Sequence, residues 1–241
     1  MATGPQKEYL GRTVQSGARV AEIDVGLRAY MQKVFGLMAG GLTITGLVAF
    51  FTAQSPAMLQ LLYGSPLRWV IFFAPIGIAM LFGFRIQAMR ASTAQMVFWL
   101  FSALMGLSLA SIFIVYTGES IARTFFIAAA TFAGMALYGY TTKRDLSGFG
   151  SFLIMGVWGL LIAMVVNIFL ASTALHWAIS VIGVLVFTGL TAYDSQKIKA
   201  MYSASDGHEV GAKKAVMGAL NLYLDFINLF VFLLQFLGDR R

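Results

Sequence analysis

The sequence predicts an all-α, polytopic membrane protein: a bundle of seven transmembrane helices with the last helix at its centre. Three observations predict it. Only 11% of the 241 residues are charged while 59% are hydrophobic, whereas a soluble domain carries about 25% charged residues. A soluble chain this apolar would expose more hydrophobic surface than water tolerates. Apolar runs long enough to cross a bilayer, which takes roughly 20 residues at about 1.5 Å rise each, recur seven times with short gaps. Finally, Asn221, Asp225, Asn228 and Gln235 fall on one face of the last run. A polar stripe on a membrane helix must face protein or water, which puts that helix inside the bundle.

Residues 1–28 are polar, with mixed charge and glycine. They lack the apolar core of a secretory signal and read as a flexible cytoplasmic tail, with room for a short amphipathic helix near Val20–Arg28. Residues 29–241 form the transmembrane domain. Its segments are predicted at about 30–53, 67–89, 95–116, 121–140, 151–171, 176–199 and 214–237. Turn and breaker residues mark the gaps: Pro56 and Pro66, then Thr117–Gly118, then Lys143 to Gly150, and Asp206–Gly207 in Met201–Lys214, the longest polar loop. Pro75 should kink the second segment. Gly36, Gly40, Gly106 and Ala110 are small residues that let helices approach closely.

Lysine and arginine set the orientation. With the tail in the cytoplasm, that side holds Lys7, Arg12, Arg19, Arg28, Lys33, Arg85, Arg90, Lys143, Arg144, Lys197, Lys199, Lys213 and Lys214, thirteen in all. The other side holds four: Arg68, Arg123, Arg240 and Arg241. The last pair would be better placed in the cytoplasm, which would make segment seven a re-entrant hairpin; its length favours a full span. Because the cations flank apolar segments, the net charge of +7 serves orientation in a lipid bilayer and not nucleic-acid binding.

Cysteine is absent, which removes disulfide, thiolate-metal and thiol-catalytic chemistry. The two histidines, His176 and His208, lie far apart. No zinc-protease helix, phosphate loop or serine elbow is found, and the last segment has no lysine for a retinal Schiff base. A paired-aspartate intramembrane protease survives longest among enzymes, but neither aspartate sits in a Gly-x-Gly-Asp setting. The reading is therefore not an enzyme.

Chemistry is expected at two acids. An aspartate at the centre of a membrane helix costs about 2.5–3.5 kcal/mol on insertion scales. Asp194 lies in Leu190-Thr-Ala-Tyr-Asp-Ser-Gln-Lys-Ile-Lys199 and Asp225 in Asn221-Leu-Tyr-Leu-Asp-Phe-Ile-Asn228. The topology puts both in the cytoplasmic half, on helices joined by one loop, where they can meet. Two touching carboxyl groups in a low dielectric cannot both ionise cheaply, so they share a proton and titrate as a unit. Once the proton leaves, the pair seeks a cation: Arg85 at the end of segment two, or a hard ion such as Ca²⁺, which prefers oxygen ligands. Blander readings stand beside these. Asp194 could be an interfacial residue capped by Lys197 or Lys199, Asp225 a hydrogen-bond partner of an asparagine, and Arg85 a positive-inside flank. Asn167 reads as helix–helix glue, Glu119 as an exposed turn residue, and His208 and Glu209 as a solvated loop.

At these residues the chain resembles the transmembrane Bax inhibitor motif family, also called the Bax inhibitor-1/YccA family. The match is strongest in Thr191-Ala-Tyr-Asp-Ser-Gln-Lys-Ile198, with support from Tyr116-Thr-Gly-Glu-Ser-Ile121 and the acidic segment around Asp225, and it covers about residues 28–237. The resemblance implies a bacterial-type member in the cell inner membrane and a seven-helix fold with a central last helix. It also implies a pH-sensitive calcium leak gated by an aspartate pair, matched by Asp194 and Asp225, with Arg85 in the position of a latch. Ca²⁺ is then a transported ion and not a resident cofactor. The YccA branch implies another role, modulation of a membrane-bound AAA protease through the cytoplasmic tail.

Overall fold

The structure is a computed structural model that describes the backbone from Pro5 to Arg241 and side chains from Val25 onward. The helices are α1 (Pro5–Ala53), α2 (Pro56–Tyr63), α3 (Leu67–Arg85), α4 (Ala91–Leu109), α5 (Ile112–Val115), α6 (Gly118–Thr141), α7 (Ser147–Leu170), α8 (Thr173–Met201) and α9 (His208–Leu237). Among the described residues, seven stretches are long and apolar enough to cross a membrane: Val25–Ala53, Leu67–Arg85, Ala91–Val115, Gly118–Thr141, Ser147–Leu170, Thr173–Met201 and His208–Leu237. These are the seven segments expected, and the chain is a multi-pass integral membrane protein.

Two boundaries differ from expectation. The backbone is helical from Pro5, so residues 5–28 continue the first span where a flexible tail was predicted. Proline at a helix's first position loses no hydrogen bond, and no further proline interrupts the chain before Pro56. Residues 1–4, and the side chains up to Asp24, lie outside the described residues, and with them the surface assigned to a protease partner. The loop before the last span is also shorter. α9 starts at His208 with Glu209 in its first turn, where acid favours the helix dipole.

α9 spans fully and is not a hairpin. Its 30 residues rise about 45 Å, and the chain beyond it reaches the end of the bundle opposite the α8–α9 turn. There Thr117 N donates to Asp239 O (3.1 Å) and Arg241 N to Val115 O (2.9 Å), while Asp239 N donates to Ser120 Oγ (2.9 Å). At the other end, Lys213 donates to Gln87 O (3.0 Å), Lys199 to Tyr140 O (2.8 Å), and Tyr30 packs on Tyr202. The lysine-rich ends thus collect on one side, as the charge count required.

Helix α9 is the core. It packs against α1, α4, α6 and α8, whereas α3 lies outside α4 and α7 outside α8. Of its most apolar stretch 72% is buried, against 11% for α7. Phe98 and Phe101 of α4 close edge-on over Tyr223, and Phe132 of α6 does the same to Phe226. Close backbone approach depends on small residues. A Cβ on Gly106 would stand 2.7 Å from Thr45 O, and one on Gly139 would stand 2.0 Å from Ala192 O. Gly36, expected to serve the same purpose, has nothing within 4 Å.

Candidate functional site: an aspartate pair in the bundle

Two antiparallel helices carry the acids. Gly218 of α9 lies against Ile198 of α8, and Gly183 of α8 against the Phe232 ring. Counting four residues back from Ile198 reaches Asp194, and four on from Gly218 reaches Leu222. Asp225 therefore stands about one turn away from the level of Asp194. Every Cα–Cβ bond leans toward its own helix N-terminus. On antiparallel neighbours the two side chains lean toward each other and close that offset. The carboxyl groups of Asp194 and Asp225 therefore face each other across the α8–α9 seam, close enough to interact directly.

Their surroundings are unequal. Asp225 is 5% exposed and Asp194 is half-buried. Among the described residues, Asp225 Oδ2 has no partner beyond this contact, and neither does the buried Ser195 Oγ next to Asp194. Neither lysine offered as a cap forms an ion pair with Asp194 in this structure. Lys199 bonds Tyr140 O and lies over its ring, and Lys197 lies over Tyr193. Lys197 reaches Asp194 only through its field. The asparagine reading of Asp225 fails, because the Asn228 amide donates to Leu224 O (2.8 Å).

The polar stripe has a structural counterpart. From Gly218 to Leu234 every residue of α9 is buried except Asn221, Leu224, Asn228 and Val231, which share one face at spacings of three and four. Gly218 and Phe232 meet α8 on one side and Tyr223 meets α4 on the other, so this half-open face lies between α8 and α4. Farther along, Gln235 accepts from Ser180 Oγ (3.4 Å). The stripe is thus a half-open face of α9 beside Asp225 and not the closed centre of the bundle.

Arg85 ends α3, exposed, and forms no ion pair with Asp194 or Asp225 in this structure. α3 packs on α4 and α2. Asn167 is not helix–helix glue: its Oδ1 accepts from Ser172 N (3.0 Å) across the α7–α8 turn, where Ala171 adopts φ 47°. Glu209 is not idle either. It accepts from Ala91 N (2.5 Å) at the start of α4, tying the α3–α4 turn to α9. Sequence reading missed this contact because the partners are 118 residues apart.

Comparison with known proteins agrees with this architecture. The model of the family described as "Inhibitor of apoptosis-promoting Bax1" matches residues 27–241. The chain is 48% identical over 219 residues to the inner membrane protein YbhL of Escherichia coli strain K12, covering 90% of this chain and 94% of that one. It is 47% identical over 230 residues to the protein RP147 of Rickettsia prowazekii, covering 95% and 98%. It is 40% identical over 219 residues to YrjE of Lactococcus lactis, covering 88% and 92%. The seven spans, the paired acids on the last two and this match along the whole bundle place the chain in the Bax inhibitor-1/YccA family of membrane proteins.

Proposed function

We propose that this protein is a pH-sensitive cation leak of the bacterial inner membrane, passing Ca²⁺, with the Asp194–Asp225 pair as its proton-sharing gate. The observation that carries the reading is the approach of two carboxyl groups from α8 and α9 inside the bundle, one of them on a residue only 5% exposed. With a proton between them the pair is held together and carries one charge. With the proton gone, two like charges repel in a low dielectric and the site attracts a cation. Asn221 and Asn228 offer uncharged oxygens along the adjoining half-open face. The relative YbhL is an inner membrane protein by name, which supports the location.

The donor set suits a passing ion better than a stored one. Ca²⁺ takes about 6–8 oxygen ligands, and among the described residues no group of three or more acidic or histidine ligands converges. Purified protein in dye-loaded liposomes should admit Ca²⁺ at a rate that changes with pH. Asp225→Asn should alter that profile. Equal flux and an unchanged profile in the variant would refute the gate.

A further inference from the structure

On the side of α9 away from the aspartates, α1 and α6 stand apart. Between them lie two hollows. One, of about 410 Å³, is floored by Phe226, Ile227 and Phe230 of α9 and walled by Phe50 and Phe125. The other, of about 390 Å³, is lined by Phe35, Ala39, Phe132, Ala133 and Tyr140. Leu42 borders both, so the two hollows follow one another along the groove between α1 and α6. Along α6 the two together run from Gly118 to Tyr140, 23 residues and about 33 Å of helix rise, close to the roughly 30 Å hydrocarbon thickness of a bilayer. No charged side chain lines it. Its rim faces outward, with Phe126 71% exposed.

The two mouths differ in charge. At the cytoplasmic end, Arg28 lies seven residues before Phe35, hence on the same face of α1, and is exposed. Lys143, also exposed, follows Tyr140 by three residues. Lys199 holds the Tyr140 carbonyl (2.8 Å). At the opposite end Arg123 is already engaged, by Asp239 (3.0 Å) and by Leu237 O (3.3 Å). The cytoplasmic hollow, apolar and with cations at its mouth, matches a molecule with an acyl chain and an anionic head. Basic pockets between membrane helices on the cytoplasmic side bind such lipids.

We propose that the α1–α6 groove is a binding site for an anionic phospholipid of the cytoplasmic leaflet. One acyl chain lies along Phe35, Ala39, Leu42 and Ala133, and the phosphate sits between Arg28 and Lys143. The site is separate from the aspartate pair and does not depend on ion conduction. Native mass spectrometry of the detergent-purified full chain, titrated with phosphatidylglycerol and separately with phosphatidylcholine, tests it.

Phosphatidylglycerol should bind more tightly, and Arg28→Gln with Lys143→Gln should weaken it about thirtyfold, the factor expected for two juxtamembrane cations. Phosphatidylcholine binding should be unchanged by that variant. Ala133→Trp, which fills the trough from an exposed position, should weaken both lipids. The double glutamine variant lies at the helix ends, so it remains informative if the tryptophan variant misfolds. Equal binding of the two lipids, indifference to the Arg28 and Lys143 changes, or a lipid-free dimer closed over the groove would each overturn the proposal.

Discussion

The Tyr63 hydroxyl stands where the Ser111 amide would otherwise complete a helix. Ser111 N donates to Tyr63 Oη (3.1 Å), and Tyr63 Oη in turn donates to Leu107 O. Ser111 and Leu107 are an i and i−4 pair, so the phenol is inserted into a single rung of the helical ladder. Side chains inserted in this way break or kink helices. The third span is accordingly divided at Ala110–Ser111 into α4 and α5.

Tyr63→Phe should therefore let α4 and α5 join over Ala91–Val115, with a loss of stability of about 1 kcal/mol from the missing bridge. Amide exchange at Ser111 would report the new helical bond. Burial raises the Tyr63 phenol above its ordinary value, partly opposed by its bond from Ser111. A raised folded-state value means the contribution is complete below the unfolded value, about pH 10, and is lost as pH rises through the folded value. Alkaline unfolding in detergent should begin later in the phenylalanine variant than in the native protein once normalised to neutral stability. Identical alkaline limbs would exclude Tyr63 as the titrating group.

A second prediction concerns the α6–α8 contact that supports Asp194. Gly139→Ala would set a methyl 2.0 Å from the Ala192 carbonyl oxygen, two residues from the acid, and that neighbour is backbone. The helices must separate, at a cost of about 1–3 kcal/mol for overpacking. Gly36→Ala, with nothing within 4 Å, should be neutral or slightly stabilising, since alanine is the better helix former. Thermal unfolding of both variants in one detergent checks the contrast, and equal melting temperatures would refute it.

A third prediction uses an asymmetry in a buried bond. The hydroxyls of Thr45 and Tyr223 lie 2.7 Å apart, and Thr45 Oγ1 also stands 2.8 Å from Ser102 O, joining α1, α4 and α9. Tyr223→Phe leaves Thr45 its carbonyl partners and should cost about 0.5–1.5 kcal/mol. Thr45→Val strands the Tyr223 hydroxyl in a site with no exposed surface and should cost more, about 1–3 kcal/mol. Denaturant unfolding of the two single variants gives the order; the reverse order would mean that Tyr223 finds another acceptor.

What sequence could reveal follows from the range of each interaction. Spans, orientation and the acids were legible because bilayer length and lysine–arginine asymmetry are local properties, and because an aspartate among leucines is costly wherever it sits. The meeting of Asp194 and Asp225 was legible for a topological reason: consecutive helices joined by one short turn have few ways to avoid each other. Tyr63 in the ladder of Ser111, Glu209 at Ala91 and the gap between α1 and α6 were not. Each depends on partners brought together by packing and not by spacing. Arg85 shows the limit of position alone. The charge count placed it at the correct end, but α3 packs chiefly on α4, and Arg85 pairs with neither acid in this structure.

The last prediction treats the two acids as one titrating unit. If a shared proton holds them together, removing either carboxylate abolishes the sharing, and removing the second changes little more. Asp194→Asn and Asp225→Asn should each flatten the dependence of liposome Ca²⁺ flux on pH, and the double variant should match the stronger single. That non-additivity is the mark of groups in direct contact. Asp225 has 5% exposure, and an amide of the same shape can donate to the Asp194 carboxylate where the shared proton did, so Asp225→Asn should leave the melting temperature about unchanged. Additive effects on the flux profile would mean that the two carboxyl groups titrate independently.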